Sequence, residues 1–254
     1  MQINLTGHLT LVTGATGQLG RVIARTLGDC GSDVVVQYLK NAQKASELVT
    51  EIQAKSVRAL AVQADVTDQV SIRNMQQTIE SGLGSPPDIL VTNAVSQYQW
   101  VNVLEQSPAD YESQFRSCVL HNVLMAQAFA PAMIENKWGR IIGINTECAM
   151  QNFPTQSAYV SGKRGMDGVL RVLAKEIGMH NITVNQVAPG WMISDASPVD
   201  DSEGQRIYRA SVPLRRRGHD QDIANLVVFL ASDLAEFISG QYISVSGGNV
   251  MPAI

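Results

Sequence analysis

Leu9-Thr10-Leu11-Val12-Thr13-Gly14-Ala15-Thr16-Gly17-Gln18-Leu19-Gly20 decides how the chain is read. Leu9 to Val12 is an apolar run suited to a strand, the glycine-rich turn follows at once, and Val22, Ile23 and Leu27 then continue at helical spacing. In a strand, turn and helix of this kind, glycine allows a tight turn and the close approach of a pyrophosphate. The amides and dipole of the helix N-terminus favour its charge. A glycine turn also serves purely as a connection, so its weight depends on what surrounds it.

Outward from this unit, β-branched runs recur at Asp33 to Tyr38, Arg58 to Asp65, Asp88 to Asn93, Arg140 to Asn145, Ile182 to Ala188 and Tyr242 to Val245, making seven candidate strands with the first. Helical patterns separate most of them. Ile223, Leu226, Val227 and Leu230 repeat at i, i+3, i+4 and i+7 behind a cap at Asp220, and Ser107-Pro108 offers a cap and a first-turn proline. Nearly continuous apolar strands alternating with helices predict an α/β fold. The expected form is a Rossmann-type doubly wound sheet of seven mainly parallel strands with helices on both faces, in a single domain over residues 1–254.

The 254 residues are 45% hydrophobic and 17% charged with a net charge of −4, which leaves no electrostatic footprint for nucleic acid. Arg215-Arg216-Arg217 is the only basic run and reads as a solvated loop or interface. No apolar run reaches the ~20 residues that span a bilayer, and Met1-Gln2-Ile3-Asn4-Leu5 lacks the basic and apolar parts of a signal peptide, so no membrane partner and a cytoplasmic location are expected. Cys30, Cys118 and Cys148 are odd in number and without metal-ligand spacing, which predicts a reducing compartment and no metal.

In such a sheet ligands bind beyond the carboxyl ends of the strands. The glycine turn, Asp65, Asn93, Thr146 and Pro189-Gly190 each stand at or just past such an end. Tyr159-Val160-Ser161-Gly162-Lys163 adds a phenol and an ammonium on one helical face. A phenol titrates near pH ~10 and serves neutral-pH proton transfer only when a positive charge favours the phenolate. Lys163 can supply that charge, and the Thr146 hydroxyl can donate to or accept from a substrate oxygen. Taken alone, a Tyr and a Lys four apart are equally a half-buried ring beside a solvated charge.

Taken in this order, the residues from Leu5 to Gly248 resemble the short-chain dehydrogenase/reductase family. The turn Thr13-Gly14 to Gly20 is similar to its cofactor loop, Asp65-Val66 to its adenine contact, and Thr92-Asn93-Ala94-Val95 to its Asn-Asn-Ala-Gly segment. Thr146, Tyr159 and Lys163 fall on its catalytic Ser, Tyr and Lys, and Val245-Ser246-Gly247-Gly248 on its Val-Asp-Gly-Gly ending. The resemblance implies hydride transfer between a nicotinamide and a carbonyl carbon, with Tyr159 exchanging the proton, Thr146 orienting the oxygen and Lys163 also binding the nicotinamide ribose. It further implies cofactor contacts from Gly14, Thr16, Gly17, Gln18, Leu19 and Gly20, and from Tyr38, Leu39 and Lys40. Asp65, Val66, Asn93, Ala94, Val95, Pro189, Gly190, Met192 and Ser194 complete that set together with Tyr159 and Lys163.

Departures leave other readings open. Gln18 replaces the middle glycine of T-G-x-x-x-G-x-G, Val95 replaces a glycine, and Cys118 stands at the position of the catalytic Asn, with Asn122 one turn later. A catalytically impaired sensor or scaffold, and an epimerase or dehydratase retaining NAD, are the alternatives. No acid stands at Tyr38-Leu39-Lys40 to meet the ribose hydroxyls, so NADP(H) is expected over NAD(H). Residues 191–211, with Asp195, Asp200, Asp201 and Glu203, read as a mobile acidic flap. Trp191, Met192, Trp100, Tyr98 and Phe153 offer an apolar wall, and a small neutral carbonyl or secondary alcohol is the expected substrate. The resemblance also implies a homotetramer, with helices beginning near Ser107 and Ser157 and the segment Tyr242 to Ile254 as candidate surfaces.

Overall fold

The computed structural model describes residues 3–195 and 197–251. Met1, Gln2, Ala196 and residues 252–254, which include one position of the expected flap and the end of the expected interface segment, lie outside the described residues. The strands are β1 (Leu9–Val12), β2 (Asp33–Tyr38), β3 (Ala59–Gln63), β4 (Ile89–Thr92), β5 (Gly139–Ile144), β6 (Ile182–Pro189) and β7 (Tyr242–Val245). They form one sheet in the order β3-β2-β1-β4-β5-β6-β7, with every neighbouring pair parallel. The strands end close to where the sequence places them. The expected run to Asp65 stops at Gln63 because the Asp65 carboxylate turns the chain, accepting from Thr67 N at 2.8 Å and Thr67 Oγ1 at 2.7 Å.

Nine helices connect the strands: α1 (Gln18–Asp29), α2 (Ala42–Gln53), α3 (Gln69–Leu83), α4 (Pro108–Gln114), α5 (His121–Asn136), α6 (Cys148–Gln151), α7 (Ser157–Ile177), α8 (Glu203–Ser211) and α9 (Asp220–Ala231), counted among the described residues. The period of two along each strand sorts the core. Val34, Val36, Ile89, Val91, Ile142 and Ile144 meet α1, α2 and α9, while Val35, Leu90 and Ile141 meet α3, α5 and α7 on the other face. Burial on both faces explains why these strands are almost continuously apolar.

A π-helical turn, Phe115–Leu120, joins α4 to α5. The continuous stretch Pro108–Asn136 is long and apolar enough to cross a bilayer, yet over half of its apolar window is buried, packed against α3 and α7 as core. At α9 the sequence places the cap one residue late. His219 is the N-cap, its amide donating to Asp222 Oδ2 at 2.9 Å, and Asp220 is freed for a different partner.

Candidate active site

β1 lies between β2 and β4, so the chain leaves it in opposite directions and a crevice opens at its carboxyl end. The glycine turn sits there under tight steric limits. Gly14 has φ +61°, and a Cβ on Gly20 would stand 2.4 Å from the Gly14 carbonyl oxygen. Buried Gln37 fastens the turn to β3, accepting from Gly14 N at 2.7 Å and donating to the Ala64 carbonyl at 2.7 Å. Thr13 fastens it to β4, its hydroxyl accepting from Asn93 N at 2.8 Å and Ala94 N at 3.1 Å. Gly17 is the N-cap of α1 and brings no capping side chain, which keeps the first helical amides available to an anion.

A cleft of about 720 Å³ runs from this turn past the ends of β2 and β3 to α7. It is lined by Gly14, Thr16, Gly17, Gln18, Leu19 and Gly20, by Leu39, Lys40, Asp65 and Val66, and by Asn93, Ala94, Val95, Thr146, Tyr159, Lys163, Pro189 and Gly190. These are the sequence-selected positions except Tyr38, Met192 and Ser194. Tyr38 shares the parity of Val34 and Val36 and packs on the core beneath α1 and α2. Met192 faces a second cavity, and Ser194 exchanges backbone hydrogen bonds with Ser197. Gln37, Asn41 and Ser117 also line the cleft and were not selected; the Ser117 hydroxyl is buried without a partner. The absence of Cβ atoms at Gly14 and Gly20, the open helix N-terminus and the long cleft together fit a dinucleotide.

At the far end Tyr159 and Lys163 share a face of α7. Lys163 Nζ is buried, donates to the Ile144 carbonyl at 2.5 Å and lies 5.8 Å from the centre of the Tyr159 ring. Burial holds the Lys163 ammonium below its ordinary pKa, with Cys118 opposing. Burial likewise pushes the Tyr159 phenol above its ordinary value, Cys148 and Cys118 add to the effect, and a hydrogen bond with Thr146 opposes it. The expected lowering of the phenol by Lys163 is therefore not met: loss of water dominates at the phenol, and the ammonium is engaged by the Ile144 carbonyl.

Thr146 is held from three sides. Its amide donates to Asn145 Oδ1 at 2.9 Å, its hydroxyl accepts from Cys148 N at 3.2 Å, and the Tyr242 hydroxyl donates to its carbonyl. Cys118, in the π turn, is buried and approaches Gln114 Oε1 at 3.9 Å. Asn122 is committed elsewhere, accepting from the Thr92 hydroxyl at 2.6 Å and donating to the Cys118 carbonyl at 2.7 Å.

A second cavity of about 830 Å³ adjoins the cleft, and the two share Val95, Gln97, Thr146, Tyr159 and Gly190. Trp100, Phe153, Trp191, Met192 and Ile207 form apolar walls, and Trp100 stacks on Tyr159 with centroids 6.1 Å apart. Tyr98 is not among the lining residues; its hydroxyl accepts from Tyr159 N at 2.8 Å. Glu147, Tyr208 and Asn249 supply polar groups that the sequence reading missed, although Glu147 directly follows Thr146.

From the segment expected as a flap, Trp191 and Met192 line this cavity together with Gly204, Ile207, Tyr208 and Ser211 of α8. Arg217, read as solvated, is 2% exposed and donates to the carbonyls of Met192 (2.5 Å), Ser197 (3.0 Å) and Pro198 (3.2 Å), with its guanidinium 4.4 Å from the Trp191 ring centre. Gln18 reaches the same segment from the glycine turn. Its amide donates to Asp220 Oδ2 at 2.7 Å and the Ile193 carbonyl at 3.1 Å, and accepts from Asp195 N at 2.6 Å. The glutamine that breaks the glycine pattern thus ties the turn to that segment and to α9.

A family model described as enoyl-(acyl carrier protein) reductase matches residues 14–249. The chain is 36% identical over 251 residues to a 3-oxoacyl-(acyl-carrier-protein) reductase FabG of Staphylococcus aureus, covering 95% of this chain and 97% of the relative. It is 34% identical over 249 residues to the FabG of Aquifex aeolicus, covering 98% and 99%. Among solved structures, a 7α-hydroxysteroid dehydrogenase complexed with NADH and 7-oxo glycochenodeoxycholic acid superposes with TM-score 0.91 at 33% identity, covering 99% of this chain and 97% of the other. A blue fluorescent protein from a metagenomic library, in complex with NADPH, gives 0.89 at 32% identity, covering 98% and 100%. With matches that span nearly its whole length, the chain belongs to the short-chain dehydrogenase/reductase family of NAD(P)-dependent oxidoreductases.

Proposed function

We propose that this protein transfers a hydride between NADP(H) and a neutral carbonyl or secondary alcohol. The observation that carries the reading is the meeting of the two cavities at Thr146, Tyr159 and Gly190. A cofactor in the cleft and a substrate in the second cavity would face each other there. When bound, the nicotinamide supplies or takes up the hydride. Tyr159, whose phenol burial keeps protonated, gives its proton to the carbonyl oxygen in the reducing direction. Thr146, fixed by Asn145 and Tyr242, donates to or accepts from the same oxygen. Lys163 holds the cofactor ribose with the donors it does not spend on Ile144.

Preference for NADP(H) is supported by the segment after β2 that lines the cleft, Leu39, Lys40 and Asn41, which brings a lysine and no carboxylate to where an acid would repel a 2′-phosphate. Neutrality of the substrate is supported by the second cavity, whose lining includes no Lys or Arg among the described residues. We read residues 191–211 as a flap over one catalytic domain, and the protein as a cytoplasmic homotetramer. Light scattering at micromolar concentration checks the assembly. Turnover of ketones, aldehydes and quinones with each cofactor tests the activity. Higher kcat/KM with NADPH is expected, and equal or better kcat/KM with NADH would overturn the preference.

A further inference from the structure

Glu147 is the one charged side chain lining the second cavity among the described residues, and it is 3% exposed. Its amide donates to the Pro189 carbonyl at 2.9 Å, which draws the loop after β5 against the end of β6. A Cβ placed on Gly190 would stand 3.2 Å from Glu147 Oε2, and Gly190 lines both cavities. The carboxylate therefore sits at the throat where cleft and cavity join, one residue from Thr146. Oε1 accepts from the Tyr208 hydroxyl at 2.8 Å and Oε2 from Asn249 Nδ2 at 3.1 Å. Two oxygens offer about four acceptor directions, so each keeps room for a further donor.

Gln151 and Gln156 also bring unpartnered side-chain oxygens to this cavity, but they carry no charge, and the groups that contact Glu147 are already engaged. Trp191 and Met192 present apolar surface, and the Tyr208 hydroxyl accepts from Trp191 N at 2.7 Å while donating to Glu147. A buried carboxylate is costly to hold ionised unless donors surround it, and burial does raise the pKa of Glu147. A substrate bringing its own donor to this point relieves that cost, whereas one bringing a methylene leaves the carboxylate under-solvated.

Resting on the reading of this cavity as the substrate pocket, we propose that Glu147 determines specificity by accepting a hydrogen bond from a hydroxyl on the carbon next to the reacting carbonyl. The favoured substrates are α-hydroxy ketones with a bulky apolar body, and in the reverse direction the corresponding vicinal diols. The volume of about 830 Å³ and the walls of Trp100, Phe153 and Ile207 accept the apolar body. Glu147 touches the substrate without exchanging its proton.

The test uses three aryl ketones of nearly equal size: α-hydroxyacetophenone, α-methoxyacetophenone and propiophenone. Their binding to the full-length protein with NADP⁺ present is measured by calorimetry, and their reduction by NADPH is followed in parallel. The hydroxy ketone is expected to bind about tenfold or more tightly than the other two, as one charge-assisted hydrogen bond allows. Glu147→Gln should shrink that preference at least about threefold. Tyr208→Phe, which keeps the carboxylate but removes one of its two donors, should keep or widen the preference. In Tyr159→Phe binding selectivity should persist without turnover. Equal binding of the three ketones by the wild-type protein, or an unchanged preference in Glu147→Gln, would overturn the proposal. Selective binding with no reduction of any ketone would instead overturn the hydride-transfer reading and leave the role of Glu147 standing.

Discussion

Lys163 Nζ donates to the carbonyl of Ile144 at 2.5 Å while standing 5.8 Å from the centre of the Tyr159 ring. The ammonium is thus anchored to the end of β5 rather than spent on the phenol. Burial then governs Tyr159 and keeps it protonated. In the cofactor-free protein, the tyrosinate absorbance lost in Tyr159→Phe should be under roughly a fifth of one tyrosine at pH 10, the ordinary tyrosine value. A full equivalent of tyrosinate lost from below pH 9 would show that Lys163 prevails over burial.

Gly20 and Gly17 separate steric need from mere permissiveness. A Cβ on Gly20 would meet the Gly14 carbonyl oxygen at 2.4 Å and Ala15 Cα at 2.9 Å, whereas one on Gly17 meets only the Gly14 oxygen at 3.2 Å. Gly17 also has φ −70°, open to any residue. Gly20→Ala should destabilise the fold by about 1–3 kcal/mol and weaken NADPH binding about tenfold or more, with Gly17→Ala within about threefold of wild type. Denaturant melts and cofactor titrations check both, and equal effects would contradict the steric account.

His121 carries a pH dependence. It is 1% exposed, its Nδ1 lies 3.1 Å from the Ser117 carbonyl, and burial pushes its pKa down to about 4 from 6.5. The folded state resists protonation that the unfolded state accepts. The stabilisation is complete above pH 6.5 and is lost as pH falls through 4. It amounts to at most on the order of 3 kcal/mol. Unfolding free energies measured across that window should fall less steeply in His121→Gln than in wild type; parallel curves would contradict the assignment.

The sheet was legible because burial on both faces forces apolar strands and because each turn carries its own chemistry. The glycine turn, Asn93, Thr146, Tyr159 and Lys163 were legible as chemistry-bearing residues following strands or sharing a helical face. Hidden from the sequence were contacts made across long separations. Gln18 bonds Asp195 and Asp220, and Arg217 is buried against Met192, Ser197 and Pro198 although its run looks solvated. Glu147 gives no periodic or spacing signal, and only the fold brings it to the wall of the second cavity. The raised phenol pKa was missed for a related reason: desolvation depends on packing that neighbouring residues in the chain do not specify.

The most direct test of hydride transfer at the junction of the two cavities is NADPH oxidation by wild-type protein and Tyr159→Phe with α-hydroxyacetophenone, alongside NADPH affinity. Wild-type protein should oxidise NADPH in proportion to ketone reduced. The variant should lose about a thousandfold in kcat while its NADPH Kd stays within about threefold, because the phenol's proton is essential to the reaction whereas its hydroxyl is one of many groups lining the cofactor cleft. Undiminished kcat in Tyr159→Phe would contradict the account.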